Sequence, residues 1–382
     1  MMLIQSIKRL IPARVRETLK GMWWNAPEHD PVEVRERFGR RWEVEQFTLH
    51  KRQVIIDGWV LVSPDQREHV RFTLNGQPFT RIVFPMTRPD VVVSHGWFPG
   101  SDQSGFSLRL ELTDDPWNVP NPLTFEVTDA RTGRSIHPNL QPYHRYILPP
   151  GEEILPDEMR RQRVHGQLDA DSFRRIGEAV YGQLGVALRD ALGTKFSDYG
   201  HILDWGCGSG RVTRYFRDRN PSTLTGVDVD ADNLEWCKAN LGHLASFETV
   251  PLHPPTQLPA NTFDLSIGIS IFTHLRESAQ FEWLTELRRI MKPGGILLMT
   301  YHGPCEVINA KLNRKQRGRL DALGIVDYPN PLYDAKLAES DYYRNTFHTE
   351  SYLRKHWGKY FEILQLMPCQ IGPQDLAVLR KR

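Results

Sequence analysis

A glycine-rich turn is the clearest chemical signal in this chain of 382 residues. The segment HILDWGCGSGRVTR, residues 201–214, contains an apolar run that ends in Asp204 and is followed by a helix-like stretch. Three glycines stand at alternate positions between the two: Gly206, Gly208 and Gly210. Because glycine has no Cβ, a turn of this kind lets a ligand lie directly against the backbone.

A carboxylate downstream of the turn completes the pattern. The next apolar run, TLTGVD, ends in Asp228. A carboxylate at that position can accept hydrogen bonds from both hydroxyls of a ribose. The turn and the acid together therefore predict a nucleoside-binding site.

The glycine spacing indicates which nucleoside is bound. The spacing here is G-x-G-x-G with an acid two residues before the first glycine, whereas a dinucleotide pyrophosphate is held by G-x-G-x-x-G. The segment resembles motif I of the class I S-adenosylmethionine-dependent methyltransferases. That resemblance implies S-adenosylmethionine as the cofactor, which has no phosphate and needs no phosphate-binding Lys or Arg. If this motif is considered alone, the alternative interpretation is a glycine-rich turn in a doubly wound domain of another family.

Further motifs follow in the order of the same family, over residues ~170–382. Phe263 and Asp264 open an apolar strand, IFTHL follows at 271–275, and Lys-Pro-Gly-Gly at 292–295 separates an amphipathic helix from a fifth strand. WCKANL at 236–241 and QDLAVL at 374–379 also resemble one bacterial branch of these enzymes.

The resemblance implies roles for individual residues. The residues expected on the methionine side of the cofactor are Asp204, Gly206, Cys207, Gly208 and Gly210. Asp228 is expected to hold the ribose, Val229 to pack beside the adenine, and Leu252 to close the adenine pocket. The resemblance implies that methyl transfer by this protein requires no metal ion.

Two histidines are candidates for the catalytic base. His274 follows the predicted fourth strand and His302 follows the fifth, so both are expected at the cofactor face of the sheet. A histidine can accept a proton near neutral pH, which a hydroxyl acceptor requires. The alternatives are a structural hydrogen bond for His274, a backbone role for the turn at His302, and a base from the Tyr-rich insertion.

Composition narrows the class of protein. A net charge of +2 is too small to attract nucleic acid through the overall electrostatic potential of the protein, so we expect no nucleic-acid partner. No apolar run approaches the ~20 residues of a membrane span, and no signal peptide is recognisable, which predicts a cytoplasmic protein. The spacing of the four cysteines fits no zinc site and predicts reduced, mostly buried thiols. They are Cys207, Cys237, Cys305 and Cys369.

The chain is long enough for two domains. We predict a basic amphipathic segment at 1–43, a β-sandwich-like domain at 44–147, a linker at 148–170 and a methyltransferase domain at 171–382. Alternating strands and helices from residue 201 onward predict an α/β fold, a doubly wound, seven-stranded, Rossmann-like domain. The all-β domain precedes it.

The predicted sandwich rests on short β-like runs with turn signals between them, of which Asn75-Gly76 is the strongest. Gly58-Trp59, Arg88-Pro89-Asp90-Val91 and Gly105-Phe106 resemble a β-sandwich module found beside bacterial glycosyltransferases. The resemblance implies a glycan- or partner-binding module. A packing or spacer domain is the alternative.

Two other segments carry surface hypotheses. Residues 1–24 form a basic amphipathic stretch ending in Trp23-Trp24, which can lie on the inner face of a membrane or pack on the protein itself. An insertion at 302–348 is expected to form one side of the acceptor site. Its basic residues are expected either to face solvent or to bind an anionic acceptor or membrane surface, and its tyrosines can stack on an acceptor. These are Lys311, Arg314, Lys315, Arg317 and Arg319, and Tyr328, Tyr333, Tyr342 and Tyr343.

The sequence therefore predicts a methyltransferase that transfers a methyl group from S-adenosylmethionine to a small-molecule or glycan acceptor, at oxygen. The glycan part rests on the N-terminal module alone. One alternative is a non-catalytic binding or scaffold protein that retains the cofactor-binding fold. A dinucleotide oxidoreductase is disfavoured by the glycine spacing.

Overall fold

The structure is a computed structural model. It describes residues 42–50, 52–96, 98–113, 123–136, 144–145, 154–166, 168–217, 219–310, 312–330 and 342–382. The membrane hypothesis for residues 1–24, the side chain of Lys311 and that of Tyr333 lie outside the described residues. In the described part of the chain, no helix combines the length and the apolar character that crossing a bilayer requires.

Two four-stranded antiparallel sheets form the first domain. One sheet contains, in spatial order, β1 (Trp42–His50), β2 (Gln53–Val60), β6 (Gly105–Glu111) and β5 (Arg81–Met86). The other contains β4 (Gln77–Pro78), β3 (Val70–Leu74), β7 (Leu123–Asp129) and β8 (His144–Arg145).

Alternation of side chains builds the core between these sheets. Strand β3 buries every second residue, as expected for a strand with one face on the core. Phe72 on β3 lies 4.9 Å from Phe106 on β6, measured between ring centroids, so aromatic rings join the two layers. Asn75 and Gly76 both have positive φ, 51° and 75°, and form the predicted hairpin turn. The predicted all-β domain is confirmed.

One of the β-like runs counted toward the predicted sandwich, DVVV at residues 90–93, is not a strand, because residues Pro89–His95 form helix α1. Pro89 has the fixed φ of a first helical residue, and Asp90 lies in the first turn, where a negative charge is favourable. Val91 is buried against Trp59, whereas Val93 is 90% exposed. The β-branched run is therefore helical because of its tertiary contacts and its proline.

The residues that resemble the glycosyltransferase-associated module make contacts with other parts of the first domain. The guanidinium of Arg88 donates to Glu45 (2.8 Å) and to Asp90 Oδ1 (2.8 Å). A Cβ on Gly105 would lie 2.8 Å from Arg88 Cγ, so this position requires glycine. The motif joins a helix to two strands, and its role in binding a glycan stays a prediction.

A seven-stranded mixed sheet forms the second domain and confirms the predicted α/β fold. Its strands in spatial order are β11 (Ser246–Thr249), β10 (Leu224–Asp228), β9 (Ile202–Trp205), β12 (Phe263–Gly268), β13 (Met291–Tyr301), β17 (Gln374–Arg380) and β16 (Glu362–Ile371). Strands β9 to β13 are parallel to one another, and β17 is antiparallel to β13 and β16. The order reverses beside β9, which is where ligands bind in such sheets.

Helices cover both faces of this sheet. They are α2 (Glu158–His165), α3 (Ala170–Leu192), α4 (Ala231–Leu241), α5 (Glu277–Ile290), α6 (Pro304–Asn309), α7 (Arg314–Leu323) and α8 (Glu350–His356). Helix α2 lies within the predicted linker. Asp169 caps α3 by accepting from Ser172 N at 2.6 Å. The helix-like stretch after the glycine turn forms only a short 3-10 turn, Thr213–Tyr215, and the Thr213 hydroxyl donates to Asp204 Oδ2 at 2.6 Å.

The two downstream motifs serve the sheet. Lys292 Nζ donates to both oxygens of Asp264, at 2.9 and 3.0 Å, and Asp264 also accepts from His201 N at 2.8 Å. These contacts tie the starts of β9, β12 and β13 together, opposite the edge at which the strands end. The Phe-Asp and Lys-Pro-Gly-Gly motifs therefore fix the framework rather than contact a ligand.

The insertion adds a two-stranded antiparallel ribbon of β14 (Ile325–Pro329) and β15 (Arg344–His348), which follows α6 and α7. Strand β15 is hydrogen-bonded to the segments that follow β12 and β13: Thr346 N donates to Thr273 O and His348 N donates to His302 O. The described ribbon of the insertion thus lies against the carboxyl ends of the central strands.

Candidate active site

The glycine turn lies directly after β9 and is attached to the neighbouring strand. Gly206 N and Cys207 N both donate to Val227 O, at 2.8 and 3.0 Å. Gly206 has a φ of 77°, a conformation that residues with a Cβ rarely adopt. A Cβ at Gly206 would also lie 2.1 Å from Ile271, so the turn follows a path open only to glycine.

The predicted ribose acid contacts this turn. Gly208 N donates to Asp228 Oδ2 at 2.8 Å, and Asp230 N donates to Asp228 Oδ1 at 2.9 Å. Burial raises the pKa of Asp228, while these backbone N–H groups lower it. An ionised carboxylate has about four acceptor sites. Lone pairs on both oxygens therefore remain for the hydroxyls of a ribose.

Asp204 is a second carboxylate beneath the turn. Its side chain is buried, and Oδ2 accepts a hydrogen bond from Thr213 Oγ1 at 2.6 Å. Burial raises the pKa of Asp204 to about 6. A buried carboxyl with this partner is a good site for a cationic group, because a nearby positive charge favours its ionised form.

The remaining predicted cofactor residues lie around these acids. Cys207 is buried, and burial raises the pKa of its thiol, so it fills space as a neutral group. Val229 and Leu252 are partly buried against the larger core of the domain. Tyr342 from the insertion donates its hydroxyl proton to Leu252 O at 2.7 Å. The segment predicted to close the adenine pocket is therefore held by the insertion.

Helix α2 covers the glycine turn, which the sequence did not predict. A Cβ on Gly208 would lie 2.8 Å from Val164 Cγ2, so the helix is in close contact with the turn. Arg160 Nη2 lies 2.8 Å from Asp232 Oδ1, and Arg163 Nη1 lies 3.4 Å from Asp230 Oδ2. These ion pairs connect α2 to the start of α4, immediately after the predicted ribose acid.

The structure brings the two predicted catalytic histidines together. The rings of His274 and His302 are nearly perpendicular, with centroids 6.1 Å apart. His274 Nδ1 lies 3.0 Å from Arg344 O, so in the neutral ring Nδ1 carries the proton and Nε2 keeps a lone pair. His302 Nδ1 is buried and has no hydrogen-bond partner in the described part of the chain.

Both histidines are neutral in this environment. Burial lowers the pKa of His274, and a hydrogen bond to Arg344 partly opposes that shift. Burial and the neighbouring His274 lower the pKa of His302 to about 3. Both imidazoles are therefore uncharged at neutral pH, and the lowered pKa makes each of them a weaker base than a free histidine.

Aromatic rings from the insertion surround the histidine pair. Phe347 lies 4.9 Å from His302, and Tyr343 lies 6.4 Å from His274, measured between ring centroids. Tyr328 stacks on Phe347 at 5.9 Å. Of the predicted aromatic positions, Tyr343 therefore lies beside His274 and Tyr342 beside Leu252, while Tyr328 packs against Phe347.

Cysteine chemistry near His302 differs from the expectation. Cys207 and Cys237 are free and buried, but Cys305 and Cys369 form a disulfide, so the prediction of four reduced thiols was wrong for this pair. The two lie 64 residues apart in sequence, and the fold brings their Cα atoms to 5.5 Å. The distance arises from the packing of α6 against the end of β16, which sequence spacing does not reveal.

A buried carboxyl orients the same turn. Asp375 Oδ2 accepts from Gly303 N at 2.8 Å, and Oδ1 accepts from Cys369 N at 2.9 Å. Burial raises the pKa of Asp375 to about 8. The backbone role that Gly303 suggested is present here, and it fixes the position of His302 one residue earlier.

Two polar groups at the site were not singled out from the sequence. Ser209 Oγ, within the glycine turn, is buried and has no hydrogen-bond partner among the described residues. Glu306 lies four residues after His302, and its Oε2 is also buried without a hydrogen-bond partner among the described residues. A buried polar atom without a partner is costly, so both positions favour a ligand that supplies one.

The residues present fit S-adenosylmethionine. Two carboxylates, Asp204 and Asp228, match a cationic amino acid portion and a ribose diol. Ser209, within the glycine turn, adds a buried hydroxyl that has no hydrogen-bond partner among the described residues. The chain would hold the cofactor through Asp204, the glycine turn and Asp228, with α2 above them.

Comparisons with known proteins identify a methyltransferase domain within the chain. Residues 202–295 match the family model described as a methyltransferase domain. The malonyl-(acyl-carrier protein) O-methyltransferase of Salmonella typhimurium is 32% identical over 149 residues, which are 36% of this chain and 55% of that protein. The fatty-acid O-methyltransferase of Mycolicibacterium smegmatis is 31% identical over 101 residues, 26% of this chain and 36% of that protein. The chain spans about half the length, or less, of these curated relatives.

Solved structures also resemble part of the chain. The 1,6-didemethyltoxoflavin-N1-methyltransferase of Burkholderia thailandensis has a TM-score of 0.39 and 16% identity, and the similarity covers 60% of this chain and 92% of that one. An S-adenosylmethionine-dependent methyltransferase from Mesorhizobium loti has a TM-score of 0.36 and 17% identity, covering 47% and 90%. Residues 202–295 therefore carry a methyltransferase domain, and the motifs around them are similar to those of the class I S-adenosylmethionine-dependent methyltransferases.

Proposed function

We propose that this chain transfers a methyl group from S-adenosylmethionine to a hydroxyl oxygen of a small-molecule or glycan acceptor. The observation that carries the proposal is the arrangement of His274. Its Nδ1 proton is directed to Arg344 O at 3.0 Å, which leaves the lone pair on Nε2. A neutral imidazole held in this tautomer suits an acceptor that must lose a proton.

Oxygen as the acceptor atom is also supported by the relatives. Two of them are named as O-methyltransferases, of malonyl-(acyl-carrier protein) and of fatty acids. A carboxylate acceptor is already ionised at neutral pH and needs no base. In this chain, Arg344 beside the histidines pairs with Asp327 at 3.1 Å, so its charge is balanced within the fold. Neutral histidines and a paired cation favour a hydroxyl over a carboxylate.

The step requires alignment and removal of one proton. When bound, the cofactor supplies a methyl carbon activated by the positive sulfur. The acceptor oxygen would take up the methyl group as the carbon–sulfur bond of the cofactor breaks, and His274 Nε2 would accept the hydroxyl proton. His302, Phe347 and Tyr343 exclude water from the histidine pair and orient the acceptor, which is the main protein contribution to such a displacement.

The glycan part of the proposal rests on the N-terminal sandwich. A cavity of about 270 Å³ opens in this domain, and its polar lining includes Gln66, His69, Asp129 and Arg134. A cavity with several hydrogen-bonding groups can hold part of a hydroxylated molecule. Among the described residues its lining includes no Trp, Tyr or Phe ring for sugar stacking, so we assign the sandwich an accessory role and the reaction to the second domain.

The test uses the full chain with radiolabelled S-adenosylmethionine and a panel of glycosides, phenols, primary amines and fatty acids. His274→Asn keeps an N–H near the position of Nδ1 and removes Nε2. We expect it to bind the cofactor normally and to lose about 10²- to 10⁴-fold in kcat on a hydroxyl acceptor. His243→Asn, at an exposed position, is the matched control. Cofactor binding without any methyl transfer would favour the scaffold alternative, and unchanged kcat in His274→Asn would remove His274 as the base.

A further inference from the structure

Glu306 is an acidic side chain that the proposed reaction does not use. It lies in the first turn of α6, four residues after His302, and is half-buried. Its Oε2 is buried and has no hydrogen-bond partner within the described residues. The neighbouring backbone positions are fixed, because Gly303 N is bound to Asp375 and Cys305 is linked to Cys369.

The surroundings of Glu306 belong to the acceptor wall. Glu306 lies close enough to Tyr328 to raise the pKa of that phenol, after the larger effect of burial. Tyr328 stacks on Phe347, and Phe347 contacts His302. The carboxyl of Glu306 is therefore within electrostatic range of Tyr328, whose ring is joined through Phe347 to His302.

The carboxyl of Glu306 is not balanced by a cation. Burial alone raises its pKa to about 7, and no positively charged side chain of the described chain opposes this shift. By contrast, Asp264, Glu286 and Asp327 each have a cationic partner. An unpaired, half-buried carboxyl is unfavourable in the protein alone and is expected where a ligand completes its hydrogen bonds.

We propose that Glu306 is the specificity residue of the acceptor site, which binds a second hydroxyl or an amine N–H of the acceptor and excludes carboxylate acceptors. This inference rests on the proposed function and adds the class of acceptor. A carboxyl oxygen accepts hydrogen bonds from hydroxyl and amine groups. A carboxylate acceptor would place two acids side by side, where like charges disfavour ionisation of both.

The first arm of the test measures the protein without any acceptor. Glu306→Met removes the unsatisfied oxygens at similar volume, and Glu235→Gln on the exposed face of α4 is the control. We expect the melting temperature of Glu306→Met to rise by about 2–4 °C and that of the control to stay unchanged. A clear fall in Glu306→Met would show that the carboxyl has an internal partner and would overturn the inference.

The second arm measures acceptor selection with Glu306→Gln, using methyl β-glucoside and a primary amino alcohol as acceptors and octanoate as a competitive inhibitor. We expect KM for the hydroxylated or amine acceptor to rise at least tenfold while kcat changes less than threefold. Octanoate should inhibit Glu306→Gln at least fivefold more tightly than the wild type, because the amide can donate to a carboxylate. Unchanged KM and unchanged octanoate inhibition would overturn the inference.

The two arms separate this inference from the proposed function. If the wild-type chain bound the cofactor but methylated no hydroxyl or amine compound, the proposed function would be wrong. The melting temperature of Glu306→Met would still decide whether Glu306 lacks a partner in the fold. If the wild type were active and only the Glu306 variants behaved like the control, the proposed function would stand and the specificity role would fall.

Discussion

Gly208 N donates a hydrogen bond to Asp228 Oδ2 at 2.8 Å, so the glycine turn after β9 and the acid at the end of β10 form one unit. The bond fixes the carboxylate before any ligand arrives. A Cβ at Gly208 would meet Val164 of α2 at 2.8 Å, so the turn is also held from above. The cofactor site is therefore preorganised, which reduces the entropic cost of binding.

Asp228→Asn should weaken S-adenosylmethionine binding sharply. The amide keeps the shape of the side chain but replaces one acceptor oxygen by a donor, and hydrogen bonds to charged groups contribute about 1.5–3 kcal/mol each. We expect a rise in Kd of at least about tenfold, measured by calorimetry with cofactor and demethylated product. Glu248→Gln, exposed on the adjacent strand, is the control. Equal affinities of the two variants would exclude Asp228 as the ribose acid.

Cofactor affinity should depend on pH through Asp204. Burial raises the pKa of Asp204 from 3.8 to about 6, and a cationic ligand favours the ionised form. Affinity is therefore fully present above pH 6 and is lost as pH falls through this value, by about tenfold at pH 5. Asp204→Asn should bind weakly with no such pH dependence. Calorimetry at several pH values measures the affinity of both proteins for the cofactor. A wild-type affinity that stays constant between pH 5 and 8 would contradict the role of Asp204 in binding a cationic group.

The same residue predicts a stability effect of the opposite sign in the ligand-free protein. Because the folded pKa is raised, folding favours protonated Asp204, and its contribution to stability is lost as pH rises from 3.8 through about 6. At pH 8, Asp204→Asn should therefore melt at a higher temperature than the wild type, and the difference should shrink at pH 4.5. A lower melting temperature at pH 8 would show that the ionised group is stabilised by the fold.

The site residues that could be predicted from the sequence are those whose position depends on a short stretch of neighbouring residues. Gly206, Gly208 and Asp228 were predicted because a turn and a strand end are encoded within a few residues. His274 and His302 were predicted because each follows a recognisable strand, and parallel strands end at one edge. Their tautomers could not be predicted, since these depend on Arg344 and Thr346 in the insertion.

The parts that the sequence did not reveal depend on contacts between distant residues. Helix α2 was assigned to a linker because it buries no residue fully and has little apolar periodicity. It is held by Asp230 and Asp232, about seventy residues later in the chain. The unpaired state of Glu306 likewise depends on which side chains surround it, and no local pattern encodes that.

Helix α2 should control the release of the cofactor product. Arg160 and Arg163 connect it to the start of α4, and both pairs are partly exposed, so each contributes about 0–1 kcal/mol. The double variant Arg160→Met and Arg163→Met should release S-adenosylhomocysteine about three- to tenfold faster, and raising the salt concentration should accelerate the wild type more than the variant. Stopped-flow dissociation measures both rates, with exposed Arg354→Met as the control. Identical rates would mean that α2 does not gate release.

The sandwich should be coupled to the methyltransferase domain through Arg189. This residue on α3 donates to Glu126 of β7 and to Ser135, and it also pairs with Asp190 at 2.9 Å. Burial raises the pKa of Glu126, while Arg189 lowers it, so removal of Arg189 leaves a largely buried acid without its partner. Arg189→Met should destabilise the chain by about 1–3 kcal/mol and separate the unfolding of the two domains in calorimetry. Adding Glu126→Gln should restore part of this loss, because the stranded charge is then absent. An unchanged single transition in Arg189→Met would show that the domains are held together by other contacts.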